Sequence, residues 1–214
     1  MSTLLEADGV TKRFAGITAL SEASLRVDEG EIVGLIGPNG AGKTTLFDCI
    51  YGYLRPDDGR VTFCGEDLIG RRVHTRARLG IGRTFQRIEL FTGTTVRDHL
   101  DLTALADRPV EALSLGRARL VELGRALMIE PRLLLLDEPS SGLDGDETAA
   151  MGTVLTRVSQ ERDVAVLLVE HDVELVRSVT TRLYVLDFGT LIAQGTTEDV
   201  LGDEAVRKAY LGST

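Results

Sequence analysis

The chain has 214 residues, 43% of them hydrophobic and 27% charged, enough to bury one substantial core in a soluble globular protein. Its formal net charge of −9 argues against nonspecific nucleic-acid binding, which needs a basic footprint. The longest apolar runs, "LLLL" at 133–136 and "VAVLLV" at 164–169, are too short to cross a bilayer, and "MSTLLEADGV" lacks the basic-then-apolar plan of a signal peptide. A cytosolic protein is expected, with Cys49 and Cys64 as reduced packing residues rather than a disulfide framework or a zinc site.

The first 30 residues read as short strands, "LLEADGV" and "ASLRVDEG", broken by Gly and Asp turns. "IVGLIG" (32–37) is a wholly apolar strand, and "KTTLFDCIYG" a helix ending at Gly52. Between them "GPNGAGKTT" fits G-x-x-x-x-G-K-[ST], in the strand-then-helix context that gives the motif its meaning. Gly37, Gly40 and Gly42 let the backbone wrap phosphates closely, with Pro38, Asn39, Ala41 and Thr45 completing the nucleotide loop. Lys43 supplies a point charge between the β- and γ-phosphates, and the Thr44 hydroxyl can ligate Mg²⁺.

"PDDG" (56–59) is a turn into the strand "RVTF". "RRVHTRARLGIGRTFQR" then concentrates Arg71, Arg72, Arg76, Arg78, Arg83 and Arg87, as either a solvated face or a docking surface for an acidic partner or lipid headgroups. "TVRDHLDLTALA" reads as one helix, and a second starts near Gly116, with Leu120, Leu123, Gly124 and Leu127 at helical spacing. Ser114 just before it, with Gly116, makes a helix N-terminus suited to an anion.

"LLLLDEP" is a buried strand that delivers Asp137 and Glu138 to its polar C-terminal edge. Asp137 can hold a magnesium shell, leaving Glu138 to accept a proton from an attacking water. A helix at 146–159 buries Met151, Val154, Leu155 and Val158, followed by the strand "VAVLLVE", a helix after His171 and the strand "RLYVLD". Apolar strands alternating with amphipathic helices predict an α/β protein with a parallel sheet covered on both faces.

In order and over nearly the whole chain, these motifs resemble those of the ATP-binding subunits of ABC transporters. "GPNGAGKTT" resembles the family's Walker A, "LLLLDE" its Walker B, "SGLD" its D-loop and "LSLGR" its signature; Gln86 resembles the Q-loop glutamine and His171 the switch histidine. The resemblance implies a P-loop NTPase fold of ABC type, one ATP-binding domain over 1–214, with a mostly parallel sheet core and an N-terminal antiparallel β subdomain. It also implies a helical subdomain at about 87–130, shortened because only 28 positions separate Gln86 from Ser114.

By the same resemblance Glu138, His171, Gln86 and Lys43 are catalytic, Thr44, Gln86 and Asp137 face the magnesium, and Phe14 stacks on adenine. Ser114 and Gly116 serve the ATP of a partner chain, since family members sandwich nucleotide between two subunits. Two residues depart from the pattern, Leu115 where glycine and Arg117 where glutamine is usual.

"RARLGIGRTFQRIELFTGTTVRDHL" and "EAVRKAYLG" are similar to segments of branched-chain amino acid uptake ATPases, features shared with urea and amide systems. That group implies ATP and Mg²⁺, a second ATP-binding subunit as homo- or heterodimer, transmembrane permease subunits, an external solute-binding protein, and a place on the inner face of the membrane. The alternative is a soluble ABC-type ATPase of DNA repair or translation. Such proteins usually carry two cassettes, coiled coils or basic surfaces, features that this sequence lacks.

Overall fold

The computed structural model describes residues 2–84, 109 and 112–208. Strands β1 (Thr3–Phe14) and β2 (Ile17–Asp28) form a hairpin closed by Ala15 and Gly16, both at positive φ as a two-residue hairpin turn requires. Each strand is longer than its sequence suggested. Gly9 and Glu22, also at positive φ, lie inside the ladder where its register shifts, so the glycine that read as a strand end marks a bulge. With β4 (Asp58–Phe63) and β5 (Glu66–Asp67) the hairpin makes a four-stranded antiparallel sheet ordered β2-β1-β4-β5.

The second sheet contains β3 (Ile32–Ile36), β6 (Ile81–Arg83), β7 (Leu133–Asp137), β8 (Ala165–Val169), β9 (Arg182–Asp187) and β10 (Thr190–Thr196), ordered β10-β9-β3-β8-β7-β6. Of its five pairings four are parallel and the β10-β9 edge is antiparallel, and β3, β7 and β8 are buried along their whole length. Strand alternation divides these residues between two cores. Leu35, Leu133, Leu135 and Leu167 meet Leu46, Phe47 and Ile50 of α1 (Lys43–Tyr51) and the inner face of the antiparallel sheet. Leu134, Leu136, Val166 and Leu168 instead meet Met151, Leu155 and Val158 of the helix Gly145–Arg162, with Val154 partly buried at its edge.

The remaining helices are α2 (Val73–Arg78), α3 (Leu115–Leu127), α4 (the Gly145–Arg162 helix), α5 (Val173–Val179), α6 (Thr197–Gly202) and α7 (Glu204–Val206). Gln86, Arg87 and the helix expected in "TVRDHLDLTALA" lie outside the described residues.

Two expectations are corrected. Cys49 is buried, but Cys64 is exposed in the turn after β4, at φ 52°, and packs no core. The arginine-rich run is not one surface. Arg76 is buried and donates to the carbonyls of Cys49, Ile50 and Leu68 at 2.8, 2.6 and 2.7 Å, capping the end of α1. Arg83 is also buried, and of the described arginines in that run only Arg72 and Arg78 are exposed.

Candidate nucleotide site

The phosphate loop begins where the apolar β3 ends. A Cβ at Gly37 would overlap the Leu186 carbonyl, and one at Gly42, at φ 104°, would stand 2.6 Å from the Ala19 carbonyl. Glycine at these two positions is therefore a steric need as well as a conformational one. The loop is further pinned by a bond from the Gly189 N–H to the Ala41 carbonyl, 2.9 Å. Lys43 is buried and its Nζ donates to the carbonyls of Gly37 and Pro38 at 2.6 and 2.9 Å. Burial lowers its pKa, opposed by the charges of Glu138 and Asp137. Ala19, Asn39, Gly40, Ala41, Gly42, Lys43, Thr44, Thr45 and Glu138 line a cleft of about 270 Å³.

β7 carries Asp137 to its end, and β8 runs parallel beside it, so that Glu138 N donates to the Val169 carbonyl at 2.9 Å. Glu138 sits at φ 50°, a left-handed backbone that a non-glycine residue holds only when its surroundings enforce it. Its Oε1 lies 2.8 Å from His171 Nε2. If Glu138 is ionised it can only accept here, which requires the imidazole tautomer with its proton on Nε2. Asp137 is buried, which raises its pKa, while the Arg83 guanidinium, with Nη2 at 3.7 Å, opposes that rise.

One residue that sequence reasoning missed organises this edge. Glu170 is 2% exposed; its Oε1 accepts from Ser140 N at 2.8 Å, and its Oε2 from His171 N at 2.9 Å. It thereby clips the segment after β7 to the segment after β8, which carry Glu138 and His171.

Ser114 caps α3, its Oγ accepting from Arg117 N at 3.4 Å. Gly116 is buried against Glu147, whose Oε1 would stand 2.7 Å from a Cβ there. Leu115 reaches towards Gly142, where an added Cβ would meet its Cδ2 at 2.8 Å. The signature turn thus packs on "SGLD" of its own chain, and Ser114 and Gly116 line a groove with Leu143 and Glu147 rather than the phosphate cleft. Phe14 stands at the corner of the β1–β2 hairpin, 42% exposed, with Lys12 Nζ 5.5 Å from its ring centre.

The donors fit Mg²⁺. Thr44 on the wall of the phosphate cleft and Asp137 at the end of β7 offer hard oxygens, few in number. Such a set suits an ion that takes most of its ligands from water and phosphate.

A family model for ABC transporters matches residues 20–141, and one for branched-chain amino acid ATP-binding cassette transporters matches 190–214. The high-affinity branched-chain amino acid transport ATP-binding protein BraF of Pseudomonas aeruginosa is 34% identical over 249 residues, covering 98% of each chain. The lipopolysaccharide export system ATP-binding protein LptB of Haemophilus influenzae is 36% identical over 236 residues, again covering 98% of each. The crystal structure of the ADP conformation of an ATP-binding cassette of an ABC transporter superposes with a TM-score of 0.93 at 28% identity, covering the whole of both chains. These relatives are named as transport and export ATP-binding proteins, which disfavours the soluble repair or translation reading. On the sequence match, the fold and the nucleotide loop together, the chain belongs to the ABC transporter family and is an ATP-hydrolysing cassette of it.

Proposed function

We propose that this cassette drives an importer of branched-chain amino acids or a related small polar solute, working at the inner face of the cell membrane. Its partners would be a second ATP-binding subunit, transmembrane permeases and, through them, an external solute-binding protein. The match of residues 190–214 to the branched-chain model, with BraF among the relatives, supports the solute class.

The observation that carries the hydrolytic reading is the Glu138–His171 pair, 2.8 Å apart, with Glu138 on the wall of the phosphate cleft. Glu138 takes the proton of the attacking water, and His171 orients the carboxylate through its Nε2 proton. Lys43 gives the phosphates a desolvated positive charge, and Phe14 offers a face for the base. Thr44, Asp137 and Gln86 would hold Mg²⁺, which when bound neutralises phosphate charge. Ser114 and Gly116 would close over the nucleotide of the partner subunit, carried on a helical lobe shorter than in relatives.

Glu138→Gln tests the mechanism. It should keep ATP binding, abolish turnover and accumulate an ATP-held dimer in size-exclusion chromatography; near wild-type hydrolysis would move the base elsewhere. For the solute, ATPase activity reconstituted with the permeases should rise with binding protein and leucine, and a rise with urea alone would replace amino acids with amides.

A further inference from the structure

Arg83 is a long cationic side chain placed where a surface arginine has no reason to be. It ends β6, and its side chain is only 3% exposed. Among the described residues, three aromatic rings lie near the guanidinium, with centroids 5.8, 5.5 and 5.6 Å away for Phe47, Tyr51 and Tyr53. Cation–π attraction and the loss of rotamer freedom hold the head in place. Two acids meet it. Nη1 donates to Asp48 Oδ1 at 2.6 Å, and Nη2 lies 3.7 Å from Asp137 Oδ2.

The two distances differ in chemical meaning. At 2.6 Å the bond to Asp48 is a charge-assisted anchor. At 3.7 Å the guanidinium attracts the Asp137 carboxylate without occupying its lone pairs. Those lone pairs are what a divalent cation needs. Asp48 also has a telling position, four residues after Thr44 on α1, so both side chains leave the same face of that helix. Arg83 therefore spans from the helix that carries the hydroxyl donor to the strand that carries the carboxylate donor. Among the described residues, Asp137 makes no other ion pair.

We propose that Arg83 is the positioning residue of the divalent-cation site, fixing the Asp137 carboxylate relative to Thr44 through its anchor on Asp48. This rests on the assignment of Asp137 and Thr44 to that cation. The obvious electrostatic expectation is the opposite: a cation beside a metal ligand should repel the metal, and its removal should tighten binding. Positioning predicts that removal weakens binding, because the buried carboxylate loses the contact that aims it.

The experiment titrates Mn²⁺ into the protein–ATP complex, followed by electron paramagnetic resonance, for wild type, Arg83→Gln, Arg83→Lys and Asp137→Asn. Nucleotide affinity is measured separately in EDTA with a fluorescent ATP analogue. Arg83→Gln should raise the Mn²⁺ dissociation constant about tenfold, and Arg83→Lys about threefold, since lysine keeps the charge but loses the two-armed fork. Metal-free nucleotide affinity should stay within about twofold in both. If Arg83→Gln does not fold, the lysine variant carries the same test. Unchanged or tighter Mn²⁺ binding in the folded Arg83 variants, with Asp137→Asn weakened, overturns the proposal alone. Unchanged Mn²⁺ binding in Asp137→Asn overturns the metal assignment and the proposal with it. An equal loss of metal-free nucleotide binding marks Arg83 as structural and overturns it too.

Discussion

Replacing Glu170 by glutamine changes one atom and should disable the site without touching the nucleotide. Glu170 is buried and uses both oxygens, one for Ser140 N at 2.8 Å and the other for His171 N at 2.9 Å and Asp172 N at 3.4 Å. An amide has one oxygen, so whichever way it turns, its NH₂ faces a backbone donor on the other side. Hydrogen bonds to a charged group contribute about 1.5–3 kcal/mol, and one set is lost while a buried N–H is left unmet. A destabilisation of about 2–3 kcal/mol follows, or a fall in Tm of roughly 4–12 °C for a chain of this size. The loops after β7 and β8 would then separate or rotate, spoiling the 2.8 Å contact between Glu138 and His171. Misalignment of that kind lowers kcat by about 10- to 100-fold. KM for ATP should hold within about twofold, because Glu170 lines none of the phosphate cleft. Steady-state ATPase assays and thermal denaturation read both effects. A glutamine variant with unchanged Tm and unchanged kcat would refute the reasoning, and a Tm loss with unchanged kcat would reduce Glu170 to a structural role.

Arg76→Ala removes the group that satisfies the carbonyls of Cys49, Ile50 and Leu68, and should lower stability by about 3 kcal/mol in urea titrations; a loss below about 1 kcal/mol would mean that water replaces it. Phe14→Ala should weaken ATP and GTP alike, by about tenfold in displacement of a fluorescent nucleotide, since both purines offer the same π-face; a loss confined to ATP would contradict simple stacking. Burial pushes the Cys49 thiol up to about 11, so it holds almost no thiolate at neutral pH. Mass spectrometry after alkylation of native protein should therefore find one adduct, on the exposed Cys64, and a second only after unfolding; double labelling of folded protein would contradict this.

What could be read in the sequence was contiguous. The loop 37–45 and the acids at 137–138 are short segments whose backbone path is set locally by glycines and by a buried strand, so spacing alone located them. The parallel sheet followed from apolar strands alternating with amphipathic helices for the same reason. Arg76, Arg83 and Glu170 were not legible. Their partners, the end of α1 or a loop 30 residues away, are chosen by tertiary packing, and a buried charge in a basic run looks like any surface charge until its acceptors are in view. The hairpin was underestimated because Gly9 has the same sequence signature as a turn, and only the neighbouring strand makes it a bulge.

The bonds from Lys43 to the Gly37 and Pro38 carbonyls bear on how the cassette resets between turnovers. An ammonium that is already out of water meets an arriving phosphate without shedding a hydration shell, and it meets a departing one without having to regain it. A bound phosphate would compete with these two neutral carbonyl oxygens for the ammonium's protons. Discrimination falls on the charge density of the incoming oxygens, which favours a polyphosphate over a singly charged anion of similar size.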